Sequence, residues 1–135
     1  MKSSYVKNAN GILMITIHFG AIYYIFQSVS ARLEPKDQLS VVMILAPLTA
    51  AFVSLFLKDL VKSATATETK KLTFTASFAF VTVFLTILYG GTIFFLLSNF
   101  LQNQDVGPDM LKLYVGVIET VVGGFVGIVY AELYQ

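Results

Sequence analysis

Residues 72–104 contain no aspartate, glutamate, lysine, arginine or histidine, and shorter uncharged runs lie on either side of clusters of charge. A helix on the surface of a water-soluble bundle needs charge along one face of every few turns. Charge confined to the gaps between long apolar runs instead matches helices whose solvent is lipid. A spanning helix takes about 20 predominantly apolar residues, and four stretches meet that requirement: residues 11–28, 39–57, 72–100 and 111–131. The fold class expected is all-α: a polytopic membrane protein of about four transmembrane helices joined by short loops, occupying residues 1–135 as one domain. A hydrophobic share of 56% and a mean hydropathy of +0.76 agree, since soluble domains hold roughly 45 to 50% apolar residues.

The breaks at residues 31–38, 58–71 and 102–110 read as loops, with Pro35, Gly107 and Pro108 as breakers. The opening MKSSYVKN, an apolar run and then Ser28 to Ala31 also follow the pattern of a secretory signal. Its removal would leave three spans; the four-span reading keeps it. Lys2, Lys7, Lys58, Lys62, Lys70 and Lys71 fall on one side of such a topology, and Arg32, Lys36 and Lys112 on the other. Positive segments stay cytoplasmic, so both termini are expected inside the cell membrane, with Asp105 and Asp109 outside.

The fourth span is the most informative. At about 100° per residue, Gly116, Glu119, Thr120, Gly123, Gly124, Gly127, Tyr130 and Ala131 share an arc of roughly 140°, opposite a bulky apolar arc. Gly123 and Gly127 form a GxxxG pair, which lets two helix backbones approach closely in lipid. Glu119 on the same arc needs a partner or water at that depth. It lines a water-filled path, bridges helices as a protonated acid, or snorkels from a misplaced helix end.

Two other spans carry polar groups. His18 lies about 10 Å deep if its helix starts at Gly11, against about 18 Å for Glu119, which disfavours a direct pair and favours a structural histidine bonded to a neighbouring helix. Thr75, Thr82, Thr86 and Tyr89 form one stripe with Ala79 and Gly90 beside them; threonines in such stripes commonly bond back to their own helix. Gly90-Gly91 permits a bend or close packing, and Pro47 a kink beside Ala46, Ala50 and Ala51.

Several functions are excluded. The absence of cysteine removes thiol redox chemistry and thiolate metal sites. There is no HExxH, GxSxG or phosphate-binding glycine loop, so neither an enzyme nor a cofactor or metal site is expected. A net charge of +1 without clustered Lys and Arg argues against nucleic acid. The first-span glutamate of small multidrug transporters, the cysteine pairs of quinone-linked thiol oxidases and the glycine-rich, arginine-bearing opening of fluoride channels are all missing.

What remains is a small channel or pore-forming protein in the lipid bilayer, associating with copies of itself or with a partner membrane subunit. Its pore or packing face would comprise Gly116, Glu119, Thr120, Gly123 and Gly127, with His18, Thr82 and Thr86 as further intramembrane polar groups. A membrane-permeabilising role, like that of a phage holin or an antiviral effector, fits the size. The alternatives are a non-conducting accessory subunit and, third, a small proton-coupled transporter.

Overall fold

The computed structural model describes residues 3–65 and 76–133, with side chains for residues 5–61, 77–124, 127 and 128. Four helices carry the chain: α1 (Ser3–Gln27), α2 (Pro35–Thr65), α3 (Ala76–Gln102) and α4 (Pro108–Leu133), with a single 3₁₀ turn at Val29–Ala31. Among the described residues there is no strand. At about 1.5 Å per residue the helices run roughly 37 to 47 Å, longer than a hydrocarbon core of about 30 Å. Three stretches, Tyr5–Ala31, Pro35–Val61 and Ser77–Gln102, are long and apolar enough to cross a membrane. α4 matches them in length and carries Lys112 and Glu119 along it. The chain is built to reside in a membrane.

Helix boundaries correct the loop assignments in one direction. Pro35 and Pro108 open α2 and α4 instead of sitting in loops. Proline at the first helical position lacks only an N–H that would have had no partner, and its fixed φ suits the helix. Asp37 and Asp109 follow in the first turns, where carboxylates meet the positive end of the helix dipole. α2 likewise continues through Lys58 to Thr65, past the expected end of the span at Leu57, and α1 begins at Ser3, well before Gly11. Residues 66–75, which take in the rest of the second break and the start of the expected third span with Thr75, lie outside the described residues. α2 passes through Pro47 as one helix, with Ala46, Pro47, Ala50 and Ala51 exposed on its outer face.

α1 packs against α2 and α3, and α4 packs against the same two helices. Two ends of the bundle are tied by charge. At one end Lys7 of α1 meets Asp59 of α2 at 3.3 Å. At the other, Lys112 reaches Asp37 at 2.7 Å and Asp109 at 3.0 Å. Arg32 donates there to the carbonyls of Phe100 and of Asn103 (2.9 Å), its guanidinium lying 4.5 Å from the centroid of the Phe100 ring. The last carbonyls of a helix have no intrahelical donor, so Arg32 closes the C-terminus of α3 from the opposite hairpin. These ties set α1 parallel to α3 and α2 parallel to α4.

The core between Arg32 and mid-bundle is apolar: Ala21, Ile25, Val29, Leu33, Val41, Leu45, Ile93, Leu97, Phe100, Leu111 and Val115 are all buried. Large apolar side chains also face outward, Tyr23, Phe26, Phe80, Phe84, Phe95, Leu113, Val121 and Ile128 among them. Such continuous outward apolar surface suits lipid. Gly90 brings α1 and α3 together, since a Cβ built there would lie 2.6 Å from Ile17 Cδ1.

Candidate functional site: a carboxyl, a phenol and an imidazole on three helices

The inner face of α1 runs through Met14, His18, Ala21 and Ile25, and that of α3 through Ala79, Thr82, Thr86, Tyr89 and Ile93. α4 turns Leu111, Val115, Glu119 and Gly123 inward. Each set follows the three-and-four spacing that places residues on one helix face. At mid-bundle the three faces bring together His18, Tyr89 and Glu119, which are 1%, 2% and 9% exposed. Residues so enclosed must satisfy one another, because neither lipid nor bulk water reaches them.

The Tyr89 hydroxyl does this. It donates to Glu119 Oε1 and lies 3.0 Å from His18 Nε2. His18 Nδ1 lies 2.9 Å from the Met14 carbonyl, which can only accept, so Nδ1 carries a proton. Phe52 of α2 covers the imidazole with ring centroids 5.6 Å apart, and the Tyr89 ring lies at 5.5 Å. Glu119 Oε2 is buried with no hydrogen-bond partner among the described residues.

One chain of atoms therefore has two arrangements with the same number of protons. In the first, Tyr89 donates to a Glu119 carboxylate while His18 Nε2–H donates to Tyr89. In the second, protonated Glu119 donates to Tyr89, which donates to neutral His18. Passing from the second to the first breaks the Glu119 Oε1–H bond as Tyr89 Oη gains that proton, and transfers the phenol's own proton to Nε2. Net charge is unchanged. The three side chains can thus store a proton or pass one between α4 and α1.

The depths of His18 and Glu119, mismatched on the sequence, agree in the structure. Starting α1 at Ser3 instead of Gly11 adds about 12 Å of helix ahead of His18. His18 does bond to a neighbouring helix, through Tyr89. That phenol is the residue absent from the expected site, although it stands in the Thr82–Thr86 stripe. Tyrosine favours membrane interfaces, so a tyrosine at the midpoint of α3 was the available signal.

The fourth-span arc divides. Glu119 and Gly123 face the interior, Gly116 is half-buried, and Thr120 and Gly124 face outward. A Cβ on Gly123 would meet Leu48 of α2 at 2.8 Å, so this glycine serves a contact within the chain, while one on Gly127 or Gly124 would meet nothing. Side chains of Tyr130 and Ala131 lie outside the described residues. Thr82, Thr86 and Thr120 bond to the backbone carbonyls of Phe78, Thr82 and Gly116 at 2.8 to 3.0 Å. No protein-family model, curated protein or solved structure matches this chain.

Proposed function

We propose that this chain is a small channel-type protein of the cell membrane, with both termini cytoplasmic, and that protons are the species it carries. The observation that supports this is the enclosure of Glu119 at mid-depth, bonded through Tyr89 to His18 inside a single bundle. An ionisable group in a membrane interior costs several kcal/mol and is kept where it serves a pathway. A route for protons needs a chain of exchangeable groups, not an aqueous bore, and the Glu119–Tyr89–His18 contacts supply such groups at mid-bundle. Glu119 meets this chain's own Tyr89, so the pathway runs inside a subunit and not along an axis between copies.

Association with copies remains part of the proposal, with the outward strip at Thr120 and Gly124 as its contact, because Gly124 has open space where a second helix backbone fits. That same strip favours the second reading, an accessory subunit that docks on a partner membrane protein. The deciding experiment is proton uptake into vesicles containing the purified protein, driven by a potassium diffusion potential and read by an enclosed pH-sensitive dye. Wild type is expected to admit protons, and Glu119→Gln to fall to the level of empty vesicles. Uptake by neither protein, in vesicles shown to contain folded chain, leaves the accessory reading.

A further inference from the structure

The two halves of the bundle differ in kind. From the Lys7–Asp59 end, polar groups descend along the buried faces of α1 and α3: Lys7, which meets Asp59 of α2, and Asn10 on α1, and Thr82 and Thr86 on α3. Thr86 is one helical turn from Tyr89. Each threonine hydroxyl donates to its own helix backbone, which leaves its oxygen free to accept. Past Glu119, toward Arg32, Ile25, Val29, Leu45, Ile93, Leu97 and Val115 are at most 1% exposed and offer no polar side-chain atom. Of the charged groups at that end, Arg32, Asp37, Asp109 and Lys112 are held in the interhelical ties beyond this apolar layer, and Glu34 pairs with Lys36 on the surface.

We propose that the Glu119–Tyr89–His18 chain exchanges protons with one membrane face only, the face at which Lys7 meets Asp59, by way of Asn10, Thr82 and Thr86. The inference rests on the proton-carrying reading and makes the bundle a half-open path: a polar access arm, a central proton store and an apolar seal. The titratable and charged groups around the store are His18 and Lys7 on α1, Asp59 on α2, Tyr89 on α3 and Glu119 itself on α4. Phe52 from α2 contributes an apolar wall beside His18. Water enters sites lined by polar atoms and avoids those lined by hydrocarbon, so hydration follows the arm and stops at the seal. Complete transfer across the membrane then requires the helices on the Arg32 side to part.

The test uses infrared difference spectra of sealed vesicles in which all chains point one way, sorted by labelling Ser63→Cys at the Lys7 end. The carboxyl band belonging to Glu119 is identified by its loss in Glu119→Gln. With the Lys7 end outside, a sudden drop in external pH is expected to change that band at once. With the Arg32 end outside, the change is expected only as fast as protons cross the vesicle wall. Asn10→Leu combined with Thr86→Val should slow the prompt response by about tenfold or more, the factor that roughly 1.4 kcal/mol added to a barrier gives. Thr92→Val, on the outer part of α3, should leave it unchanged.

A prompt response from the Arg32 end, or equal responses from both, overturns the one-sided path. So does a Glu119 band that ignores pH in vesicles opened to both sides. Circular dichroism of each variant separates a blocked arm from a lost fold. Proton flux measured on the same vesicles keeps the two readings apart: a one-sided band response without flux refutes transport and retains the access path, whereas flux with responses from both ends does the opposite.

Discussion

Gly90 and Gly91 are adjacent in sequence and opposite in surroundings, so the same substitution should act on them with opposite sign. A methyl on Gly90 would sit 2.6 Å from Ile17 Cδ1, 2.8 Å from its Cγ1 and 3.3 Å from its Cγ2, while one on Gly91 would meet nothing within 4 Å. Ile17 is β-branched and stiff at χ1 in a helix, so it cannot swing clear, and α1 and α3 must separate by several tenths of an ångström. Overpacking of this kind costs about 1 to 3 kcal/mol. Replacing a helical glycine by alanine returns about 0.5 to 1 kcal/mol at either position. Gly90→Ala should therefore destabilise the bundle by about 1 to 2 kcal/mol, whereas Gly91→Ala should be neutral or mildly stabilising. Reversible unfolding in mixed detergent micelles measures both. Ile17→Ala removes every atom the new methyl strikes, so Gly90→Ala in that background should lose its cost, giving a coupling of about 1 kcal/mol or more. Equal stability of the two glycine variants, or a cost at Gly90 that Ile17→Ala leaves intact, would refute the close approach of α1 and α3.

Gly123→Leu should destabilise the protein through Leu48, while Gly127→Leu should leave subunit stability unchanged; unfolding in detergent separates them, and oligomer size reads any effect on association. Arg32→Ala strips donors from the last carbonyls of α3, and its loss of charged hydrogen bonds should cost about 1.5 to 3 kcal/mol by the same unfolding assay. In this cysteine-free chain, Ser63→Cys and Asn103→Cys lie at opposite ends of the bundle, so an impermeant reagent applied to intact cells should label Asn103→Cys alone.

The apolar helices were legible because lipid imposes a length and an uncharged composition that few other constraints imitate. Their ends were not. Lys58 and Pro35 look like loop residues in isolation, yet a helix in a membrane protein continues past the apolar band into water, and proline suits its first turn. That displacement of the boundary is what hid the site: measured from Gly11, His18 stood too shallow to meet Glu119. The wheel for α4 put Glu119 and Gly123 on one face with Thr120 and Gly124; the packing turns the first two inward and the other two outward, a division the wheel could not make because small residues suit a tight intrachain contact and an outer surface equally well. Tyr89 could be assigned to the inner stripe from spacing alone. Its role as bridge could not, since that depends on which helices are neighbours, and the pairing of α1 with α3 and of α3 with α4 appears only in the packing.

His18 is the sole histidine of the chain, so labelling all histidine nitrogens with ¹⁵N reports on one ring in lipid bilayers. Solid-state magnetic resonance of that ring is the most direct test of the carboxyl–phenol–imidazole chain. The account requires Nδ1 to bear a proton bonded to the Met14 carbonyl in every variant, and the Nε2 signal to move both in Tyr89→Phe, which removes the bridge, and in Glu119→Gln, which changes its far end. An Nε2 signal identical in the wild type and both variants would contradict it.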